Sequence, residues 1–403
     1  MTKQIMKTIK LRLGYFRRIF KREYLNHFCY ECCSIIHHPI DHFSIYAELK
    51  PDTWETNSMA EVYEFFKRID IVTKSPAQRI YKIPNAIVYN NSDIVKTEGG
   101  VLWDKAFTPE FSATIPKDEN LLSFDENTVK LVKYNKIVHI KGRVLSLLGV
   151  HAGVWAHFLV QYLCKLYYAK MHDLFSENIT VLVPPYKDIQ VRDIVNAFFK
   201  DKSTVKVIEV QSGISYACEV LYYLPSCVTM GNHATYLHPC NYVFTDLMKN
   251  TIKEFFVLPY IEQSKETKTQ TYSKIYIPRR GGYRSLVNND EIEEYFRTEG
   301  FHFVDFSKVS LLKKIKLVNS ADIIAGPISG GFTNCFFCKK GAKILGLSNI
   351  PRTMETYLGG ISPTITELDI LLVTGYDTDL QPHACFKIPL VKVKSAYNYL
   401  LSK

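Results

Sequence analysis

Apolar runs and amphipathic segments alternate along most of this chain. Between about residues 84 and 150 the apolar runs are short and separated by short loops, a pattern typical of strands. A helical period then follows over VWAHFLVQYLCKLYYAKMHDLF. Beyond it, NITVLVPP predicts a buried strand, VRDIVNAFF a helix and KVIEV another strand. Strands that alternate with helices in this way indicate an α/β fold with a parallel sheet.

The alternation resumes after a polar segment at 262–273, EQSKETKTQTYS, which predicts a loop near a domain boundary. The strands predicted after this loop are KIYIPRR, FHFVDF, DIIAG and AKILGL, and the helices are NNDEIEEYFRTEG and SLLKKIKLVNSA. The pattern of the second half therefore predicts a Rossmann-like array of alternating strands and helices. In such folds, ligands bind outside the carboxyl ends of the strands. Because IPRRGGYR and GPISGGFTN both follow such strands, we expect cations and a glycine-rich bend on one rim.

The glycine-rich bend lies within ADIIAGPISGGFTNCFF, residues 321–337. The pattern predicts a buried strand, a turn of small residues and a short helix from about Gly331. Glycines in this turn allow backbone N–H groups to approach a ligand, and the N-terminus of the helix favours an anion. An ordinary strand-to-helix turn is the alternative interpretation.

The length of 403 residues and the hydrophobic share of 47% suffice for two or three domains with buried cores. No apolar run reaches the roughly 18 to 20 residues that a membrane span needs, and the first residues lack the apolar core of a signal peptide. We therefore expect a cytoplasmic protein. The predicted divisions are a basic amphipathic extension at 1–50, an α/β domain at 51–245, a Rossmann-like domain at 246–385 and a C-terminal helix at 386–403.

Positive charge is concentrated at the start of the chain. Residues 1–23 hold eight Lys and Arg side chains against one Glu, so eight minus one leaves +7 of the total net charge of +10 there. Apolar residues in this segment recur every three or four positions, which predicts an amphipathic helix that suits an anionic membrane surface. A basic helix packed on its own domain, or a solvated tail, is the alternative. No nucleic-acid-reading module follows, so we expect no nucleic-acid partner.

Several segments in this order resemble glycosyltransferase family 61. The segments that carry the resemblance are GGVLWDKAFTPEFS, VWAHFLVQYLCKL, CEVLYYLPS, YIPRRGGYRSLVNNDEI and GPISGGFTNCFF, spread over about residues 95–350. Members of this family are inverting, nucleotide-sugar-dependent transferases with a GT-B architecture of two Rossmann-like domains. The resemblance therefore implies an acceptor-side domain at 51–245 and a nucleotide-sugar-binding domain at 246–385.

The resemblance also implies a reaction. We expect a hexosyl- or pentosyltransferase that takes its sugar from a uridine-linked (UDP) donor and adds it to a glycan or a lipid-linked glycan. The basic start of the chain suggests peripheral attachment to the inner face of a membrane, in the biosynthesis of a surface polysaccharide such as capsule or lipopolysaccharide. Two alternatives stay open: a transferase for a CMP-linked acid sugar of the Kdo type, and a non-catalytic nucleotide- or glycan-binding relative.

Four positions depart from the family pattern. The bend has Ile328 where the family usually has His and Ser329 where it has Gly. The helix that carries the family His has Gln161 where an acid usually follows, and the later strand has Gly346 where it typically ends in Glu. These departures leave the identity of the base and of the nucleoside contacts open.

Candidate site residues follow from the residue types and the resemblance together. An imidazole can take the proton of an acceptor hydroxyl at neutral pH, so His157 is the first candidate base, with His151 and Asp104 behind it. A core histidine is the alternative for His157, and surface ion pairs with the acidic helix DEIEE are the alternative for the arginines. Guanidinium forks grip phosphate oxygens, and backbone amides complete such a cradle. The candidates for donor and phosphate binding are Arg279, Arg280, Arg284, Asn288, Gly326, Ser329, Gly330, Gly331, Thr333 and Asn334.

No metal or other cofactor is required in this interpretation. Asp377 and Asp379 form one Asp-x-Asp pair that would suit Mn²⁺, but the pair comes late, after the nucleotide-type bend. The Cys- and His-rich stretch HFCYECCSIIHHPIDH lacks a standard zinc spacing, so packing cysteines are the preferred interpretation.

Overall fold

The computed structural model describes most of the chain outside its first residues and several internal segments. The described residues are 30–36, 41–49, 53–56, 61–63, 71–74, 78–103, 118–125, 127–224, 228–230, 242–244, 252–279, 285–349, 368–377 and 385–403. The segment 1–23, on which the predicted membrane association rests, lies outside them.

Strands dominate the first half. In chain order they are β1 (Tyr30–Ser34), β2 (Ser44–Leu49), β3 (Thr53–Thr56), β4 (Glu61–Val62), β5 (Ile71–Lys74), β6 (Gln78–Tyr89), β7 (Ile94–Thr97), β8 (Gly100–Trp103), β9 (Leu121–Phe124), β10 (Thr128–Val132), β11 (Ile137–Ser146), β12 (Ile179–Val183), β13 (Val205–Glu209), β14 (Ser215–Tyr223), β15 (Val228–Met230) and β16 (Tyr242–Phe244). The later strands are β17 (Lys274–Tyr276), β18 (His302–Phe303), β19 (Ile323–Pro327), β20 (Lys343–Ser348), β21 (Asp369–Thr374), β22 (Tyr376–Asp377) and β23 (Phe386–Lys387).

The helices connect these strands. The α-helices are α1 (Trp155–His157), α2 (Leu163–Met171), α3 (Ile189–Phe199), α4 (Leu258–Lys265), α5 (Asn289–Thr298), α6 (Leu311–Ser320) and α7 (Leu390–Ser402). Two π-helices (Phe158–Tyr162 and Lys253–Val257) and two 3₁₀-helices (Phe306–Lys308 and Gly330–Phe337) accompany them. Helices and sheets together make a mixed α/β protein, as the sequence predicts.

The larger of the two main sheets belongs to the first half. Its strand order is β13-β12-β11-β14-β6-β7-β8, and β2 also pairs with β6. The strands β11 to β14 are parallel, whereas β6, β7 and β8 are joined as antiparallel hairpins. The helical segment that begins with α1 covers this sheet, because it connects β11 to its parallel neighbour β12.

The second sheet is parallel throughout. Its order is β18-β17-β19-β20-β21-β4, and every neighbouring pair in it is parallel. All five residues of β19 are buried, as expected for a central strand of a parallel sheet with both faces covered. One strand of this sheet, β4, comes from residues 61–62, inside the segment predicted as the first domain.

One hydrophobic core joins the two halves. It contains residues of the helical segment 155–169, such as Trp155 and Phe158, together with Ile275 of β17 and Ile324 of β19. The rings of Trp155 and Phe256 lie 6.3 Å apart in this core. The first-half helix that carries the candidate base is therefore packed against the second half.

Element boundaries differ from the sequence expectation in two places. The long helix predicted over 154–175 is one turn of α-helix, a π-helix and a second α-helix. The loop predicted at 262–273 begins later, because α4 continues to Lys265. Burial of Ser264, whose hydroxyl donates to the carbonyl of Ile261, explains why polar residues extend that helix.

Candidate active site

The candidate site begins where the strand order of the second sheet reverses. The chain runs from β17 outward to β18 and then returns across β17 to form β19 on its other side. The crevice at the carboxyl ends of two such strands is the usual ligand site of a doubly wound sheet. Arg279 follows β17 and the glycine-rich bend follows β19, so the sequence-predicted rim coincides with this crevice.

Backbone contacts hold the bend on both sides. The N–H of Ile328 donates to the carbonyl of Leu347 at 2.9 Å. Arg279 Nη1 donates to the carbonyl oxygen of Ile328 at 2.6 Å, so this predicted phosphate ligand also supports the bend. Gly326 has φ of +142°, and a Cβ there would collide with the carbonyl oxygen of Ile277. Only glycine allows the end of β19 to lie this close to the segment after β17.

Gly326→Ala is expected to lower the free energy of unfolding by about 2 kcal/mol or more, because the methyl group meets backbone and the φ value disfavours an L side chain. Gly330→Ala is the matched control. A Cβ at Gly330 meets nothing within 4 Å, so its effect should stay within about 0.5 kcal/mol. Urea unfolding of the two variants measures the difference, and equal midpoints would contradict the tight contact at Gly326.

The bend continues into a 3₁₀-helix from Gly330, one residue before the start predicted for a short helix at about Gly331. Ser329 precedes this helix, and its Oγ accepts a hydrogen bond from the N–H of Gly331 at 3.3 Å. Gly330 is exposed and borders open space. The bend therefore leaves room for a ligand next to the backbone of Gly330, where no side chain blocks the approach.

Thr333 and Asn334 lie beneath this surface and are each 1% exposed. Asn334 Nδ2 donates to the carbonyl of Gly331 at 2.7 Å and so supports the first helical turn. Thr333 Oγ1 and Asn334 Oδ1 have no hydrogen-bond partner among the described residues. Two buried oxygens without a partner in the helix that begins at the exposed Gly330 are unusual, since such groups are nearly always paired.

The remaining donor-site candidates fall into two groups. Asn288 Nδ2 donates to the carbonyl of Ile388 at 2.8 Å and to Glu291 Oε2 at 3.0 Å, so its amide connects the start of α5 to the segment before α7. Its predicted role in donor binding stays a prediction. Arg280 and Arg284 lie outside the described residues.

His157 lies at the end of α1, directly before the π-helix. Its Nδ1 is 2.9 Å from Gln161 Oε1. In the tautomer that carries its proton on Nδ1, this nitrogen donates to the Gln161 amide oxygen, and Nε2 then carries the lone pair. Gln161 thus orients the imidazole without a charge. π-Helical turns are frequent at functional sites.

His151, the second candidate base, is next to the first. The ring centroids of His151 and His157 are 4.9 Å apart, and both side chains are partly exposed. The structure therefore brings together two histidines that are six residues apart in the sequence. Asp104, the third candidate, lies outside the described residues.

The histidines and the bend meet through α1. This helix packs against the 3₁₀-helix Gly330–Phe337. Its first N–H, that of Trp155, donates to Asp188 Oδ2 at 2.7 Å, so a carboxylate from another loop supplies the N-terminal cap. The candidate base and the glycine-rich candidate site for an anion thus lie on neighbouring elements, across the junction of the two halves.

Two buried ionisable groups were not indicated by the sequence. Lys314 of α6 is 3% exposed, and burial lowers its pKa to about 8 against the opposing effect of the carboxylates of Asp188 and Asp305. Asp118 is also buried, and burial raises its pKa to about 6 although Ser92 and Asn120 donate hydrogen bonds to it. A lysine in a helix and an aspartate in a loop carry no local pattern that would mark them as buried.

The residues of the two metal alternatives lie partly within the described ranges. Within the described part of the chain no group of three or more His, Cys, Asp or Glu side chains could hold a metal ion. Asp379 lies outside that part, as do Cys29, His37 and His38 of the Cys- and His-rich stretch. In the same described part no helix is long and apolar enough to cross a membrane.

A comparison with known families supports the resemblance found in the sequence. Residues 155–345 match the family model of Glycosyltransferase 61. Over this span the chain is similar to glycosyltransferase family 61. The resemblance stated from the sequence is thereby confirmed, and the family assigns the chain to the glycosyltransferases. No curated protein matches the chain.

Two departures from the family 61 pattern contact each other. Gly346 of β20 lies so close to Ile328 that a Cβ on the glycine would collide with the Ile328 side chain. The residues Gly326 and Gly346 are also register partners in the sheet. An apolar contact therefore occupies the place where the family pattern offers a histidine and a glutamate.

A carboxylate at position 161 should change the pH dependence of the transferase. Gln161→Glu places a negative charge next to His157, which favours the protonated imidazole and raises its pKa. Because a base must be neutral to accept a proton, the acid limb of the kcat/KM profile should move about one pH unit upward. Gln161→Leu, which removes the acceptor without adding charge, is the control and should lower kcat without moving that limb. An unmoved limb in Gln161→Glu would exclude His157 as the titrating base.

Proposed function

We propose that this family 61 protein is an inverting glycosyltransferase that moves a sugar from a UDP-linked donor to a glycan or lipid-linked glycan. The observation that supports this most directly is the packing of α1, which ends at His157, against the helix that follows the glycine-rich bend. An inverting transfer needs a base beside the acceptor hydroxyl and positive groups beside the leaving diphosphate. Both requirements have a candidate here, on adjacent elements.

The reaction step follows from these positions. The oxygen of the acceptor hydroxyl forms a bond to the anomeric carbon while the bond from that carbon to the phosphate oxygen of the donor breaks. His157 Nε2 accepts the hydroxyl proton. Negative charge develops on the leaving nucleoside diphosphate, where the cation of Arg279 and the backbone N–H groups at the start of the 3₁₀-helix stabilise it.

The arrangement of the domains is part of the same proposal. The first sheet and the second sheet would be the two halves of a GT-B-like transferase, with the acceptor bound by the first and the donor by the second. The strand-order reversal between β17 and β19 supports donor binding by the second half. Assembly of a surface polysaccharide at a membrane is the proposed setting, and the basic segment 1–23 supports it.

Thermal unfolding with a panel of nucleotides tests the donor class. UDP should raise the melting temperature with or without Mn²⁺, because binding to the folded state alone stabilises it. Stabilisation by CMP and not by UDP would favour the acid-sugar alternative. Stabilisation by UDP without release of UDP from any UDP-sugar would favour a non-catalytic relative, and stabilisation only with Mn²⁺ would contradict metal independence.

A further inference from the structure

A turn after β6 holds the loop that carries His151. This turn, Asn91 to Asp93, is distant from the loop in sequence, yet two of its side chains accept backbone hydrogen bonds there. Asn91 Oδ1 accepts from the N–H of His151 at 3.0 Å, and Asp93 Oδ2 accepts from the N–H of Val150 at 3.3 Å. The turn is therefore a direct support for one of the two histidines.

The loop needs such support because its backbone is strained. His151 has φ of +67°, in the left-handed region that residues with a Cβ rarely adopt. Strained residues persist where surrounding contacts determine their conformation, and they cluster at functional sites. The side chains of the turn accept hydrogen bonds from the backbone N–H groups of His151 itself and of the preceding residue, Val150.

Asp93 also reaches the helical segment that carries His157. The hydroxyl of Tyr162 lies 3.1 Å from Asp93 Oδ1 and 3.1 Å from the carbonyl oxygen of Val150. Tyr162 ends the π-helix that begins directly after His157. A Cβ at Gly149 would collide with both the Tyr162 hydroxyl and the Asp93 carboxylate, so the approach depends on glycine there. One carboxylate thus joins the two chain segments whose histidine rings contact each other.

A buried lysine, Lys165, lines the same cavity as this carboxylate. Asp93 and Lys165 line a cavity of about 10 Å³, room for one water molecule, together with Ser92, Ser146 and Tyr223. Lys165 is 3% exposed, and its Nζ lies 5.4 Å from the centroid of the Tyr162 ring. A buried ammonium group needs a compensating charge, and Asp93 is the carboxylate that shares its cavity.

We propose that Asp93 is a positioning residue for the proton-accepting histidine pair. Its carboxylate fixes the His151 loop through Val150 and the His157 segment through Tyr162, and it touches neither donor nor acceptor. The proposal rests on the proposed function, in which one of these histidines is the base. Asp93 precedes the span that matches family 61, so the family match does not include it.

The test compares Asp93→Ala and Asp93→Asn with Asp125→Asn in the full chain. Asp125 is the control, because its carboxylate, like that of Asp93, accepts both backbone N–H and hydroxyl hydrogen bonds (two and one, against one and one for Asp93), but on an exposed turn between β9 and β10. Release of UDP from a panel of UDP-sugars should fall about ten-fold or more in kcat for Asp93→Ala. The donor KM should stay within about two-fold, and Asp93→Asn, which retains one acceptor oxygen, should recover part of the loss.

A double variant and a spectroscopic readout separate positioning from general destabilisation. Tyr162→Phe should add nothing to Asp93→Ala, because both break the same link. The imidazole NMR signals of His151 and His157, assigned with single His→Ala variants, should both shift in Asp93→Asn. Neither signal should shift in Asp125→Asn. Unchanged histidine signals, additive losses, or a wild-type kcat in a folded Asp93 variant would overturn the proposal. If the wild type neither binds UDP nor releases UDP from a UDP-sugar, the proposed function is overturned instead. The NMR signals would then still decide whether Asp93 positions the two histidines.

Discussion

His157→Ala is expected to lower kcat for sugar transfer or donor hydrolysis by about 100- to 10,000-fold, the usual contribution of a general base. In the tautomer that donates from Nδ1 to Gln161, the side chain carries its lone pair on Nε2. Removal of the imidazole leaves the hydroxyl proton without an acceptor, whereas the diphosphate contacts at the bend remain. UDP should therefore raise the melting temperature of His157→Ala as much as that of the wild type.

Two further histidine variants give this prediction its controls. His139 is exposed on β11, and His139→Ala should leave kcat unchanged. His151→Ala separates the two neighbouring rings: a moderate loss is expected if His151 supports the base. A larger loss in His151→Ala than in His157→Ala would assign the base to His151 and contradict the first choice.

Gly330→Val should weaken nucleotide binding while the fold remains intact. The backbone at Gly330 borders open space, so the added side chain meets no protein atom within 4 Å of its Cβ and projects to where a phosphate would lie. Loss of close approach between phosphate and backbone amides should weaken UDP binding at least about ten-fold, which corresponds to about 1.4 kcal/mol. Titration calorimetry with UDP measures this effect.

Gly99→Val is the matched control for that variant. Gly99 is also exposed and also has no neighbour within 4 Å of a Cβ, but it lies in the hairpin between β7 and β8. UDP affinity should be unchanged in Gly99→Val, and both variants should unfold close to the wild-type temperature. Wild-type UDP affinity in Gly330→Val would show that the donor does not lie against the bend.

The parts of the fold that follow from local pattern are predictable from the sequence. Continuous apolar runs such as DIIAG mark buried parallel strands, and the small residues after them mark the bend, because each signal lies within a few neighbouring positions. The same holds for α5, whose acidic first turn and Arg297 in the last turn suit the helix dipole. These signals alone predict the candidate bend and Arg279 on one rim, without knowledge of the strand order.

Other features depend on contacts between distant residues. The pairing of β4 with β21 joins residues more than 300 positions apart, and two residues of strand carry too little pattern to predict it. The hydrogen bond from His151 to Asn91 spans 60 positions and depends on one side-chain atom. The role of Gln161 is hard to predict for another reason. The family pattern has an acid at this position, so its absence suggests a lost function, whereas the hydrogen bond to His157 needs only an oxygen atom.

The central claim is that a nucleoside diphosphate binds at the glycine-rich bend beside His157. Hydrogen–deuterium exchange of the full-length protein with and without saturating UDP tests it most directly, since no acceptor is needed. The account predicts slower exchange in peptides that cover residues 326–338 and no change in peptides that cover the Asp125 turn. UDP binding that leaves exchange over 326–338 unchanged, and slows it elsewhere, would contradict the account.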